Sequence, residues 1–234
     1  MALVRRRNLR TDQRGAAILE FSVVAGTMIV MLFGIVEFAN LFSQWNSAVK
    51  AVQVGARVAA TSAPVWKEAA ELTGAELEDS EATGGGSLPG HAITYNYNIV
   101  CTKAAGCTGT DTIKDNVGRT YVDDAMDVIV FGRDPNNKAC DDPPGEYFGM
   151  CDIYNRITTD NVRVTYEHTG VGYSTRPGGL VPTITVEIIG LNFQFIFLDD
   201  IMGIFNEQDL NQVPIPGLLT TMIAEDMRPG APTF

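Results

Sequence analysis

Between Glu20 and Glu37 the chain carries no charge, running "FSVVAGTMIVMLFGIV" from Phe21 to Val36. At the rise of an α-helix this stretch covers about 24 Å, and counting from Ala16 extends it to about 30 Å, one hydrocarbon core. The pattern predicts a membrane-spanning helix. No proline occurs from Ala16 until Pro64, so a single helix over residues 16–63, about 70 Å long, is expected. Its outer half changes character: Ala48, Val52, Gly55, Ala56 and Ala59 share a small-residue face, while Lys50, Gln53 or Val54, and Arg57 follow another stripe. Ala51, Gly55 and Ala59 recur at every fourth position, the spacing that lets a second backbone approach closely. That face suits either a neighbouring helix or the protein's own domain.

Residues 64–90 read as a linker, shifting from acidic, helix-like "KEAAELTGAELEDSEAT" into a glycine run. The piece "GGGSLPG" lacks the Lys-Ser/Thr pair that a phosphate-binding loop needs. Beyond it the period falls to two. "HAITYNYNIV" places Ile93, Tyr95, Tyr97 and Ile99 on one side and Thr94, Asn96 and Asn98 on the other, a half-buried strand. "MDVIVF", "NVRVTYEH" and "TITVEIIGLNFQFIF" read likewise, with Gly190 marking a bulge or bend in the last. A helix with one apolar face and a sheet with one apolar face cover each other, so residues 91–234 are expected to form an antiparallel β-rich domain against the outer half of the helix. The fold class is α+β.

Charge adds direction. The net charge is −11, yet the first fourteen residues are basic, with Arg5, Arg6, Arg7, Arg10 and Arg14 against Asp12. Arginines immediately before the span favour a cytoplasmic N-terminus, which leaves the acidic body outside. An acidic body without a basic patch would repel a polyanion, so nucleic acid is not an expected partner. The four cysteines, Cys101, Cys107, Cys140 and Cys151, all lie in that body, and an even number in an exported domain suggests disulfides. Three connectivities are open; Cys101 with Cys107 and Cys140 with Cys151 are favoured because each closes a short local loop.

Candidate chemistry is sparse. His91 and His168 stand far apart without ligand-like spacing, so no metal site is expected. The acidic stretch "DPNNKACDDPPGEY" fails as an EF-hand loop, because the sixth and twelfth positions counted from Asp134 are Ala139 and Gly145; an irregular calcium site is the alternative to a solvated loop stapled by Cys140 and Cys151. No Gly-x-Ser-x-Gly elbow, His-Glu-x-x-His motif or cysteine–histidine pair is present. A non-catalytic protein without a cofactor is expected.

At the inner end of the span "RGAAILEF" resembles the processing site of type IV pilin-like precursors, and "GIVEFANLF" with "NSAVKAVQVGARVAATSAPV" resembles the following stretch of TadE-like minor pilins, the pseudopilins of tight adherence (Tad) pili. "IPGLLTTMIAEDM" near the C-terminus is more loosely similar to the family's closing segment. The resemblance implies a pilin-like fold and a basic leader, residues 1–15, removed by a prepilin peptidase between Gly15 and Ala16. It further implies that Glu20, the fifth mature residue and followed by Phe21, meets the new amine of Ala16 on its own helix or a neighbour's. Implied partners are the peptidase, other pilins, the Tad secretion machinery and the bacterial inner membrane, with the C-terminal domain on the periplasmic or extracellular side.

Physical cost supports a role for Glu20, since an acid at a helix centre costs about 2.5–3.5 kcal/mol on insertion scales, less toward the end, and such residues usually find partners. The plainer reading is an interfacial acid on an uncleaved anchor. Glu37 has two readings as well: a packing contact between bundled helices, or the outer end of the span, with Asn40, Gln44 and Trp45 as interfacial anchors. The rivals to a pilus subunit are a permanently anchored single-pass scaffold, and a membrane-tethered binding domain or enzyme.

Overall fold

The computed structural model describes residues 14–70, 96–111, 118–132, 140, 148–169, 181–197, 213–224 and 227. Residues 1–13 of the leader, most of the 64–90 linker, residues 91–95 with His91 and with Ile93 and Tyr95 of the first expected strand, and all of the 134–147 loop except Cys140 lie outside these residues.

An α+β arrangement is observed: a long apolar N-terminal helix, then a domain built on a five-stranded antiparallel sheet. Helix α1 runs over Arg14–Thr61, 48 residues without a break. The strands are β1 (Tyr97–Thr102), β2 (Gly106–Asp111), β3 (Val162–Glu167), β4 (Thr183–Ile188) and β5 (Leu218–Ile223), in spatial order β2-β1-β3-β4-β5. Helix α2 spans Asp123–Phe131 between β2 and β3 in the chain. Two compact units result, one of Met1–Ser43 with Phe193–Val213 and another of Gln44–Asn192 with Pro214–Phe234. The division falls within α1.

In the second unit β1 and β2 form a hairpin in which Thr102 pairs with Gly106 and Cys101 with Cys107. Gly106 takes φ 68°, a left-handed conformation that a side chain would strain. The directly opposed cysteines form a disulfide with Cα atoms 4.0 Å apart, and Cys140 is bonded to Cys151. Strand β3 alternates as its sequence suggests, with Val162, Val164 and Tyr166 buried and Arg163 bonded to Glu187 on β4 at 2.9 Å. Strand β4 ends at Ile188, and Gly190 (φ 66°) turns the chain. "TITVEIIGLNFQFIF" is therefore a strand only in its first part.

"MDVIVF" is a correction: it belongs to α2, not to a strand. Six residues fit either period, but the preceding "DDA" decides it. Asp123 and Asp124 favour the positive end of a helix dipole, Ala125, Met126, Ile129 and Val130 bury one helical face, and the Gly132 N–H closes the end on the Val128 carbonyl. Strands β2 and β5 carry no strand pattern in the sequence. The former is rich in glycine and threonine, and the latter is an edge strand with little burial, so neither carries a clean alternation.

The core of this unit gathers around Trp66. It is fully buried, its ring centroid lies 5.6 Å from Tyr97 and 6.2 Å from Tyr166, and its Nε1 donates to the Gly118 carbonyl at 2.9 Å. The Val65 N–H donates to the Tyr166 hydroxyl at 2.8 Å, and burial holds that hydroxyl and that of Tyr97 well above the ordinary tyrosine range. From α1 the same core takes Ala48, Ala51, Val52, Ala56 and Ala59. A Cβ at Gly55 would run into the Met150 side chain. Thus Ala51, Gly55 and Ala59 pack into their own domain, the intramolecular member of the two readings of that face.

Candidate functional site

The first unit offers a different surface. Ile18, Leu19, Phe21, Val23, Val24, Met28, Val30, Met31, Leu32 and Ile35 are all exposed, and these positions are spread round the whole circumference of α1 rather than gathered in a stripe. A helix that is apolar all round needs a cover, either protein or lipid. Among the described helices α1 is long and apolar enough to cross a membrane, and none of its most apolar window is buried by the chain itself. Two hydroxyls in its apolar run are satisfied locally, Ser22 Oγ on the Leu19 carbonyl at 2.8 Å and Thr27 Oγ1 on the Val23 carbonyl at 2.9 Å, which is how a helix carries such groups into an apolar setting.

The residues expected to matter for processing lie at the start of this surface. Gly15 is in the first turns of α1 with open space where a Cβ would stand, followed by exposed Ala16, Glu20 and Phe21. In a helix Ala16 and Glu20 are neighbours one turn apart. The structure brings these four positions together on one exposed helical end.

Glu37 behaves in the opposite way. Among the described side chains from Gly15 to Ser47 it alone is buried, with 4% of its surface exposed. Its Oε1 accepts the Ile196 N–H at 2.6 Å and its Oε2 accepts the Phe197 N–H at 3.1 Å. One turn before it, the Phe33 ring lies 5.1 Å from that of Phe197; nearly one turn after it, Asn40 Nδ2 donates to the Gln194 carbonyl at 2.9 Å. Phe33, Glu37 and Asn40 thus form one i, i+4, i+7 stripe that holds residues 193–197 of the same chain. The structure engages Glu37 in an internal contact, which neither reading of the sequence contained. The available signal was the stripe itself together with the late apolar run "NFQFIF", but nothing in their spacing along the chain links them.

Among the described residues the groups with clearly shifted titration are three tyrosines and one histidine. The Tyr121 hydroxyl is pushed up to about 12, first by burial and then by the carboxylates of Asp123, Asp127 and Asp160, so it stays protonated at neutral pH. Burial lowers His168 below its usual range, and its Nδ1 is buried without a hydrogen-bond partner among the described residues. No three metal-ligating side chains converge among the described residues.

Comparison with known proteins places this geometry in context. Residues 15–57 match the family described as TadE-like protein, a span that opens at Gly15 and covers the uncovered apolar half of α1 with part of the small-residue half. No curated protein and no solved structure matches the chain.

Proposed function

We propose, from a chain that is TadE-like over residues 15–57, that the protein is a minor pilin of a Tad system, inserted with its arginine-rich leader in the cytoplasm and cut between Gly15 and Ala16. The observation that carries this reading is the apolar surface of α1, largely bare from Ile18 to Ile35 in the segment where the family match falls. Such a surface serves lipid while the subunit waits in the inner membrane, and serves the helices of other pilins once it is extracted into a fibre. The function is assembly, with recognition rather than bond chemistry as its content. The domain carried by β1–β5 then lies on the outer side of the membrane, where its disulfides persist.

Glu20 has a defined task in this reading. Removal of the leader creates an ammonium at Ala16, and a helix docked among apolar neighbours must neutralise it. Glu20, one turn away or on an adjoining subunit, supplies the carboxylate; leaving a buried charge unpaired costs on the order of several kcal/mol. The prepilin peptidase acts first, on the exposed Gly15–Ala16 bond.

Mass spectrometry of the protein from its native membrane is expected to find Ala16 as the N-terminus, and Gly15→Leu to leave the precursor uncut. In a Glu20→Gln strain, insertion and cleavage should persist while surface pili fall sharply when counted by electron microscopy. An intact leader on assembled subunits contradicts the processing step, and normal piliation of the Glu20→Gln strain contradicts the role of the acid. A permanently anchored scaffold predicts both of those contrary results.

A further inference from the structure

We infer that residues 193–197 are a second membrane-contacting element, seated in the leaflet on the side of the C-terminal half of α1 and fastened there by Glu37; the inference rests on the reading of α1 as a membrane span. Depth is the first argument. Phe33 lies inside the uncharged run that ends at Val36, about 6 Å deeper along the helix than Glu37. Phe197 is in ring contact with Phe33, so it sits at the same level, at the edge of the hydrocarbon.

Backbone chemistry is the second argument. An irregular segment at that depth is tolerated only if its N–H and C=O groups are satisfied by protein, since lipid tails offer no partner. Here the N–H groups of Ile196 and Phe197 go to the two carboxyl oxygens of Glu37, the Gln194 carbonyl takes the Asn40 amide, and the Phe193 N–H donates to the Val213 carbonyl at 2.9 Å. Three of these four groups are turned in toward α1 and the fourth toward Val213. The apolar side chains are left out: Ile196 is 48% and Phe197 38% exposed, and Phe197 meets Phe33 of the helix. An apolar patch without a charge among its described residues, adjoining the exposed surface of a span at Phe33, is matched by acyl chains. This also explains why an acid sits where the apolar pattern of α1 would otherwise continue into Phe38: a carboxyl group accepts two backbone N–H groups at once, which no apolar residue can do.

The test uses full-length protein in liposomes at a low protein-to-lipid ratio. All four cysteines are in disulfides, so a single introduced cysteine takes a nitroxide label uniquely. Labels at Ile196→Cys and at Val30→Cys are compared for collision with oxygen, which partitions into lipid, and with a water-soluble nickel chelate. The expected result is a lipid signature at both positions, and a shift of the Ile196→Cys label toward nickel accessibility when Glu37→Ala is added but a smaller one with Glu37→Gln, which keeps an acceptor oxygen. A nickel-accessible label at position 196 beside a lipid-exposed one at position 30 overturns the inference and leaves the span intact. Shielding of the 196 label from both reagents also overturns it, and points to a second subunit as the cover. An aqueous signature at position 30 overturns the membrane reading itself. An unchanged 196 label in Glu37→Ala overturns the fastening by Glu37.

Discussion

The two halves of α1 share one helix and opposite solutions to the same problem. Before Ser43 its apolar residues are large and exposed, as with Phe21 at 74% and Val30 at 69%; after Gln44 its buried residues are small, as with Ala51 and Ala56 at 0%. Hydrophobicity alone does not separate them. Alanine and glycine let the core around Trp66 come up against the helix backbone, so the chain covers that half itself. Large side chains on every face cannot all be covered by one small domain, and the first half is left largely exposed. Size of side chain therefore reports who the partner is.

The largest expected break in this comparison comes from truncating one large aromatic on each side. Trp66→Ala removes a fully buried ring and should cost about 3–5 kcal/mol of stability in the sheet unit, measured by denaturant unfolding of the protein in detergent. Phe21→Ala, in the exposed half, should stay within about 0.5 kcal/mol in the same assay. Equal losses would mean that the two halves fold as one cooperative body.

Removing the disulfide of the β1–β2 hairpin with Cys101→Ser and Cys107→Ser together should cost about 2–3 kcal/mol, in line with its short loop, and should leave the fraction of protein in the membrane unchanged. Loss of membrane association in this variant would show that the disulfide acts beyond the sheet unit.

Small-to-large changes sharpen the contrast within α1. Ala56→Leu overpacks a buried position and should cost about 1–3 kcal/mol, whereas Gly34→Leu, where nothing stands within 4 Å of a new Cβ, should be neutral or slightly stabilising to the helix. Unfolding midpoints for the two variants check this directly.

The smallest effect concerns pH and belongs to the sheet unit alone. His168 is buried against Tyr97, ring centroids 6.1 Å apart, and burial lowers its pKa from 6.5. The unfolded chain therefore binds the proton more readily than the folded one. Stability is full above about pH 6.5 and declines as pH falls from there toward the lowered folded value. Urea midpoints between about pH 5 and 8 should show this slope, and His168→Gln should flatten it. A slope unchanged in that variant would assign it to other groups.

Much of this molecule was legible as a string. An uncharged run of membrane length, an unbroken stretch without proline, small residues at every fourth position and period-two alternation around Tyr97 and Tyr166 are each local patterns, and local patterns determine helix, strand and the α+β class. Short or ambiguous segments were not: "MDVIVF" is helical because of the acids before it and the core it faces, and β2 and β5 exist because they have a neighbour to pair with. Glu37 is the clearest case. Its position at the end of an apolar run was visible in the sequence, but its partners lie 159 and 160 residues away. Only the tertiary structure could decide that contact, because the energy of a backbone N–H on a carboxyl oxygen depends on distance in space, and nothing in the local period of either segment encodes the other.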